Sequence, residues 1–281
     1  MNTNIITTDN FTRSWIEQVH TRSAALIKNG FQATLSGKII TTCFFEPSTR
    51  TRLSFTSAAQ RLGASVLGFD SVTSTSTTKG ESLEDTIRMV SNYGDVIVMR
   101  HPEAGSADRA AQVAGVPVIN AGDGANQHPS QTLLDLFTIK QGIGRLDDFT
   151  ILMIGDIEHS RVVHSLSTTL KLFNNVEQLL INPLTQDYKP HLNKADIILV
   201  TRVQTERFTD KHQADLLQNS YKISLQDVEA MKPTCKIISP LPRTSELPTN
   251  IDAVPQAYYF QQASFGVPVR AALLENVLGV W

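Results

Sequence analysis

Four consecutive residues, Ser48-Thr49-Arg50-Thr51, place three hydroxyls and a guanidinium where an apolar run gives way to a helical pattern. A helix start presents unpaired N–H groups and the positive end of the helix dipole. Hydroxyls and an arginine added there make a receptor for phosphate. The competing reading is that Ser48 or Thr49 merely caps the helix. Arg50 between the hydroxyls, with Arg52 close behind, favours the anion. Three later stretches carry similar chemistry. Arg100-His101-Pro102 follows an apolar run, His128 stands directly before the proline of His-Pro-Ser-Gln131, and Thr201-Arg-Val-Gln-Thr-Glu-Arg207 holds two arginines. Arginine suits planar carboxylates and phosphates because its fork donates two parallel hydrogen bonds. Taken alone, His128 reads as a structural loop histidine, Arg161 as a surface cap or ion pair, and Arg202 as a solvated charge.

The elements that must hold these residues alternate in type. Lys38–Phe45 is β-branched and aromatic, a buried strand stopped by Glu46-Pro47. A helix follows, with Phe55, Ala58, Ala59 and Leu62 on one face and Gly63 as its C-cap. Before it, Thr12–Lys28 reads as a helix ending at Asn29-Gly30. Beyond it come a strand at 65–69, a helix at 81–93, a strand at 95–99, a helix at 107–114, a strand at 116–120 and a helix from Pro129 to Lys140. Gln141-Gly-Ile-Gly-Arg145 breaks that helix and marks the domain boundary. A second series has strands at 149–155, 176–181, 195–200 and 236–239, and helices at 161–173, 224–231 and 269–278. Strand–helix alternation predicts parallel α/β sheets, whose ligands bind beyond the carboxyl ends of the strands. Ser71–Thr78 is almost entirely Ser and Thr; with only Val72 to anchor it, it reads as a mobile linker ending at Lys79-Gly80. The turn after residue 154 has only Gly155, so the glycine fingerprint of a dinucleotide site is missing.

The chain has 281 residues, enough for about two domains by ordinary domain size. With 41% hydrophobic and 19% charged residues it can build packed cores, and a net charge of −2 gives no basic field for nucleic acid or anionic membrane. No apolar run approaches the length of about 20 residues that crosses a bilayer. Met1–Thr12 is polar and does not read as a signal peptide. Cys43 and Cys235 are far apart in no metal-like spacing, and are expected as small core hydrophobes of a reduced, cytoplasmic protein.

Ser-Thr-Arg-Thr-Arg after an apolar strand resembles the carbamoyl-phosphate signature of the transcarbamoylases. Met99-Arg-His-Pro102, Asn120-Ala-Gly-Asp-Gly124, Asn126-Gln-His-Pro-Ser-Gln131, Thr201-Arg-Val-Gln204 and Pro240-Leu-Pro-Arg243 resemble the aspartate carbamoyltransferase branch of that family, catalytic chain. The resemblance runs from the first strand to the last helix. It implies two doubly wound parallel-sheet domains: residues 1–140 binding carbamoyl phosphate, with 269–281 packing back on them, and 141–268 binding aspartate. Relatives usually carry a further helix and strand near 182–194, so the second domain is expected to be a shortened version.

The implied reaction is attack of the aspartate amine on the carbonyl carbon of carbamoyl phosphate, an early step of pyrimidine biosynthesis, with no metal or organic cofactor. By the same resemblance, Ser48, Thr49, Arg50, Thr51 and Arg100 hold the phosphate. Thr51, Arg100 and His128 donate to the carbonyl oxygen, while Gln131 and the carbonyls near Leu241-Pro242 bind the carbamoyl amide. Arg161, Arg202 and Gln204 read the aspartate carboxylates. Lys79 matches a loop lysine that reaches a neighbouring subunit's site in a homotrimer, with a hydroxyl from Ser74, Thr75 or Ser76. Regulatory or dihydroorotase-like partner chains accompany some members. The rivals are an ornithine-specific transcarbamoylase, a non-catalytic scaffold that retains the fold, and a passive phosphate-binding protein. Ornithine enzymes usually carry His-Cys-Leu-Pro where this chain has Ser239-Pro-Leu-Pro.

Overall fold

The computed structural model describes residues 4–205 and 208–281, without the side chain of Ser74. Arg207, the second arginine of the 201–207 stretch, lies outside the described residues, as does the Ser74 hydroxyl. The chain divides into two compact units, 1–134 with 265–281, and 135–264.

The first unit contains a parallel sheet in the order β2-β1-β3-β4, with β1 Ile39–Phe44, β2 Ser65–Phe69, β3 Val96–His101 and β4 Val118–Asp123. Its helices are α1 Arg13–Asn29, α2 Thr49–Arg61, α3 Leu83–Val90 and α4 Ser106–Val113. One face of the sheet packs Cys43, Phe45, Ile97, Met99 and Val118 against Ile87 and Val90 of α3 and Ala107 and Ala110 of α4. The continuous apolar runs of β1 and β3 are those of strands covered on both faces. Burial pushes the Cys43 thiol up to about 12, as for a core residue. β3 and β4 run two to three residues further than the sequence suggests, so Arg100 and Asp123 are strand residues and not loop residues. Ile5 pairs alongside β4 as an isolated parallel bridge: its N–H donates to Val118 O at 2.9 Å, and Asn120 N–H donates to Ile5 O at 2.8 Å.

The 71–79 stretch forms two short 3-10 turns, Val72–Ser74 and Ser76–Lys79, instead of structureless linker. The reason is local: Ser71 Oγ accepts from Thr73 N–H, and Thr75 Oγ1 donates to Val72 O at 2.7 Å.

The second unit repeats the plan in the order β6-β5-β7-β8, all parallel, with β5 Phe149–Ile154, β6 Val176–Ile181, β7 Ile197–Val200 and β8 Lys236–Ile238. Helix α5, Pro129–Ile143, carries the chain from the first unit into the second. It continues through Gly142 and stops at Gly144 (φ 78), three residues later than the glycine-rich sequence suggests. α6 is Arg161–Leu170, α7 Lys211–Ser220 and α8 Leu225–Glu229. α7 has no counterpart in the sequence reading. It buries only Ala214 and Leu217, too narrow a stripe to register, and starts on the Asp210 side chain as N-cap. Segment 182–194 holds a single 3-10 turn, Lys189–His191. Cys235 is buried in this core, its thiol likewise pushed up to about 12.

The last helix, α9, spans Tyr259–Val277 and so begins ten residues before the expected start. Pro268 lies inside it, and proline ordinarily ends a helical reading. Residues 265–281 belong to the first unit, where Glu275, fully buried, accepts a fork from Arg22 at 2.6 and 2.6 Å, and Asn276 accepts from the Trp15 indole. No helix among the described residues is long and apolar enough to cross a membrane.

Candidate active site

In the first unit the candidate residues meet at the carboxyl ends of β1, β3 and β4. β1 lies between β2 and β3, and the register pairs Phe44 with Arg100. That pairing brings Arg100 beside the turn leading into α2. Its Nε donates to Glu46 Oε1 at 2.7 Å and a terminal nitrogen to Ser48 Oγ at 3.2 Å. Ser48 is the N-cap of α2 by position, yet its side chain makes no capping bond. The capping-only reading of Ser48 therefore fails, and its hydroxyl faces arginine. Thr51, one turn into α2, is 5% exposed, whereas Thr49 and Arg50 are exposed. Ser54 stiffens this turn by donating to Arg50 O at 2.6 Å and Thr51 O at 3.0 Å. The turn thus combines a helix start, hydroxyls and two guanidiniums, which is what binding a phosphate dianion requires.

His128 immediately precedes α5 and is 4% exposed. Its carbonyl accepts from Gln131 and Thr132 N–H at 2.9 and 3.1 Å, so it acts as the helix's N-terminal anchor. Its Nδ1 lies 3.4 Å from Ser130 Oγ. Gln131 is also buried. Lys79 stands apart: it is exposed at the end of its 3-10 turn, and its ammonium has no partner among the described residues. The Thr75 hydroxyl is turned onto Val72 O.

In the second unit the candidates gather around the ends of β5 and β7. Arg161 opens α6 and is 5% exposed, so it is not a surface charge. Arg202, half-buried, donates to Val203 O at 3.0 Å. Gln204 is held by two bonds, its N–H to Asp156 Oδ2 at 3.4 Å and its side-chain amide to His159 O at 3.2 Å. The Leu241–Pro242 peptide is cis, and Ser239 N–H donates to Gln262 Oε1 at 2.8 Å. Arg243 of the same motif forks onto Asp252.

Several supporting residues escaped the sequence reading. Glu46 looked like a strand stop, and only the β1–β3 register reveals it as the partner of Arg100. Asp156, 1% exposed, pairs with His159 Nδ1 at 2.9 Å and also holds Gln204. Tyr221 donates to Thr201 O just before Arg202, and burial raises its phenol pKa well above the ordinary value. The acid in the 155–160 turn, next to a strand end, was the only sequence signal for any of them.

Two family models cover most of the chain. Residues 3–141 match "Aspartate/ornithine carbamoyltransferase, carbamoyl-P binding domain" and residues 181–277 match the "Asp/Orn binding domain" of the same family. The aspartate carbamoyltransferase catalytic subunit of Thermococcus kodakarensis is 49% identical over 265 residues, covering 87% of this chain and 85% of that protein. Among solved structures, the catalytic subunit of M. jannaschii aspartate transcarbamoylase superposes with a TM-score of 0.86 at 38% identity, covering 100% of this chain and 99% of that one. Aspartate transcarbamoylase from Trypanosoma cruzi, solved with N-(phosphonacetyl)-L-aspartic acid, gives a TM-score of 0.90 at 34% identity over 97% of this chain and 95% of its own. The chain belongs to the aspartate/ornithine carbamoyltransferase family, on the side of its aspartate carbamoyltransferase catalytic subunits.

Proposed function

We propose that this chain is a carbamoyl transferase that joins the carbamoyl group of carbamoyl phosphate to the amine of L-aspartate. The products are N-carbamoyl-L-aspartate and phosphate, and the reaction is an early step of pyrimidine biosynthesis in the cytoplasm. The observation that carries the proposal is the turn into α2, where an uncapped Ser48 hydroxyl is hydrogen-bonded to Arg100 from a neighbouring strand. A hydroxyl that neither caps its helix nor faces solvent alone, set beside a guanidinium, is arranged for an anion.

In the reaction a C–N bond forms from the amine to the carbonyl carbon, the C–O bond to phosphate breaks, and the amine loses a proton. Ser48, Thr49, Arg50, Thr51 and Arg100 take the phosphate and stabilise it as it leaves. Thr51, Arg100 and His128 donate to the carbonyl oxygen as charge builds on it. Gln131 and the carbonyls of Leu241 and Pro242 bind the carbamoyl amide. In the second unit Arg161, Arg202 and Gln204 take the two aspartate carboxylates. Residues 1–140 with 269–281 are assigned to carbamoyl phosphate and 141–268 to aspartate. Lys79, exposed and without a partner among the described residues, is assigned to the active site of a neighbouring subunit in a homotrimer.

The ornithine reading loses support from Arg161, Arg202 and Ser239-Pro-Leu-Pro, since a cationic side chain has no use for two arginines. A radiochemical transfer assay with each amine decides between them. Carbamoylation of aspartate and none of ornithine is expected; the reverse overturns the assignment, and phosphate binding without turnover of either marks a passive binder.

A further inference from the structure

Asp123 ends β4 and is 1% exposed, yet no role in binding or chemistry has been given to it. Its carboxylate accepts four hydrogen bonds. Oδ1 takes the Asn120 side-chain amide at 2.9 Å and Gln127 N–H at 3.1 Å; Oδ2 takes Gly105 N–H at 2.9 Å and the Asn126 side-chain amide at 3.1 Å. All four donors are neutral, and no cation pairs with Asp123 among the described residues. A buried carboxylate is costly unless its lone pairs are filled, and bonds to an ionised acceptor are about twice as strong as neutral ones.

Three of the four donors come from two different loops, and the fourth, Asn120, lies in β4 itself. Gly105 lies in the loop that leaves β3 directly after Arg100 and His101. Asn126 and Gln127 lie in the loop that leaves β4 and delivers His128. Backbone contact seals the same pair of loops: Gly124 N–H donates to His101 O at 2.9 Å, and a Cβ added to Gly124 would lie 2.6 Å from Ala104 N. The second loop is tied in turn to the N-terminal segment, where Thr8 Oγ1 donates to Gln127 Oε1 at 3.0 Å.

We propose that Asp123 is a positioning residue that fixes the His128 loop against the loop following Arg100, so that both donors address one carbonyl oxygen. The proposal rests on the roles given above to His128 and Arg100. Displacement of a donor by about 1 Å can cost about 10²-fold in rate. Asn in place of Asp123 keeps the shape but turns an N–H₂ toward a backbone N–H, that of Gln127 or of Gly105, which can only donate.

The test is steady-state kinetics on the full chain carrying Asp123→Asn or Asn126→Ala, each alone and combined with His128→Ala, with thermal unfolding to confirm folding. Asp123→Asn is expected to lower kcat about 10- to 100-fold while KM for carbamoyl phosphate moves less than about 3-fold. In the His128→Ala background the same change should cost less than about 3-fold, because the group it positions is gone. Asn126→Ala removes one donor at an exposed position and should lower kcat a few-fold, with the same loss of effect beside His128→Ala. A folded Asp123→Asn enzyme with unchanged kcat, or losses that multiply with His128→Ala, overturns the proposal. If Asp123→Asn does not fold, Asn126→Ala decides by the same criteria. Near-normal kcat in His128→Ala alone is a separate result that overturns the role of His128 itself.

Discussion

Arg100 and Ser48 are 52 positions apart in the chain, and a guanidinium nitrogen of one donates to the hydroxyl of the other at 3.2 Å. The pair is oriented by Glu46, which takes Arg100 Nε at 2.7 Å on a site where both side chains are only about one-fifth exposed. Arg100 therefore reaches the anion turn held by Glu46 through Nε and set against the Ser48 hydroxyl through a terminal nitrogen.

Glu46→Gln should lower kcat about tenfold, because a charge-assisted bond worth about 1.5–3 kcal/mol no longer holds Arg100 in place. Steady-state kinetics at saturating aspartate checks this. Unchanged kcat would mean that Ser48 alone suffices to orient the guanidinium.

Arg50→Ala should lower kcat by about 10²–10³, the usual effect of removing a donor that serves developing charge. Single-turnover measurements separate this loss from weaker phosphate binding; a mutant with near-normal chemistry would remove Arg50 from the mechanism.

Arg202→Lys should weaken aspartate use while leaving carbamoyl-phosphate binding nearly intact, since a planar fork becomes a point charge. Titration of each substrate is the check. Loss of carbamoyl phosphate with intact aspartate saturation would reverse the roles of the two units.

Lys79→Ala and His128→Ala homotrimers should each be nearly inactive, and refolding them together should restore activity. In a cyclic trimer containing both, one junction of the three joins an intact His128 to an intact Lys79. Mixtures with verified subunit exchange and no activity above the parents would place Lys79 in its own chain's site.

Acid stability should depend on His101. Burial lowers its pKa from 6.5, against the opposing pull of Glu103, so the folded state resists protonation that the unfolded state accepts. Below about pH 6.5 the unfolded state binds more protons, and stability falls as pH drops until the folded-state pKa is reached. Urea unfolding across this range should show a smaller pH slope in His101→Asn, whose side-chain oxygen can replace Nδ1 as acceptor for Glu103 N–H.

The strand–helix alternation and the hydroxyl–arginine turn at 48–51 were legible in the sequence, because each depends on neighbours in the chain: period, cap chemistry and strand ends. Read alone, His128 was a structural histidine and Arg202 a solvated charge, and only the resemblance to the family offered them roles. Boundaries went astray where local signals misled. Gly142 and Pro268 sit inside helices that tertiary packing sustains, and α7 has too few apolar residues to announce itself. What the tertiary structure alone decided is which distant groups touch. The β1–β3 register brought Glu46 and Ser48 to Arg100, the close approach of two loops added Gly105 to the local donors of Asp123, and the turn after β5 set Asp156 against Gln204. Spacing in sequence carries no information about such pairs, since sheet order and register are fixed by which apolar faces can be buried together.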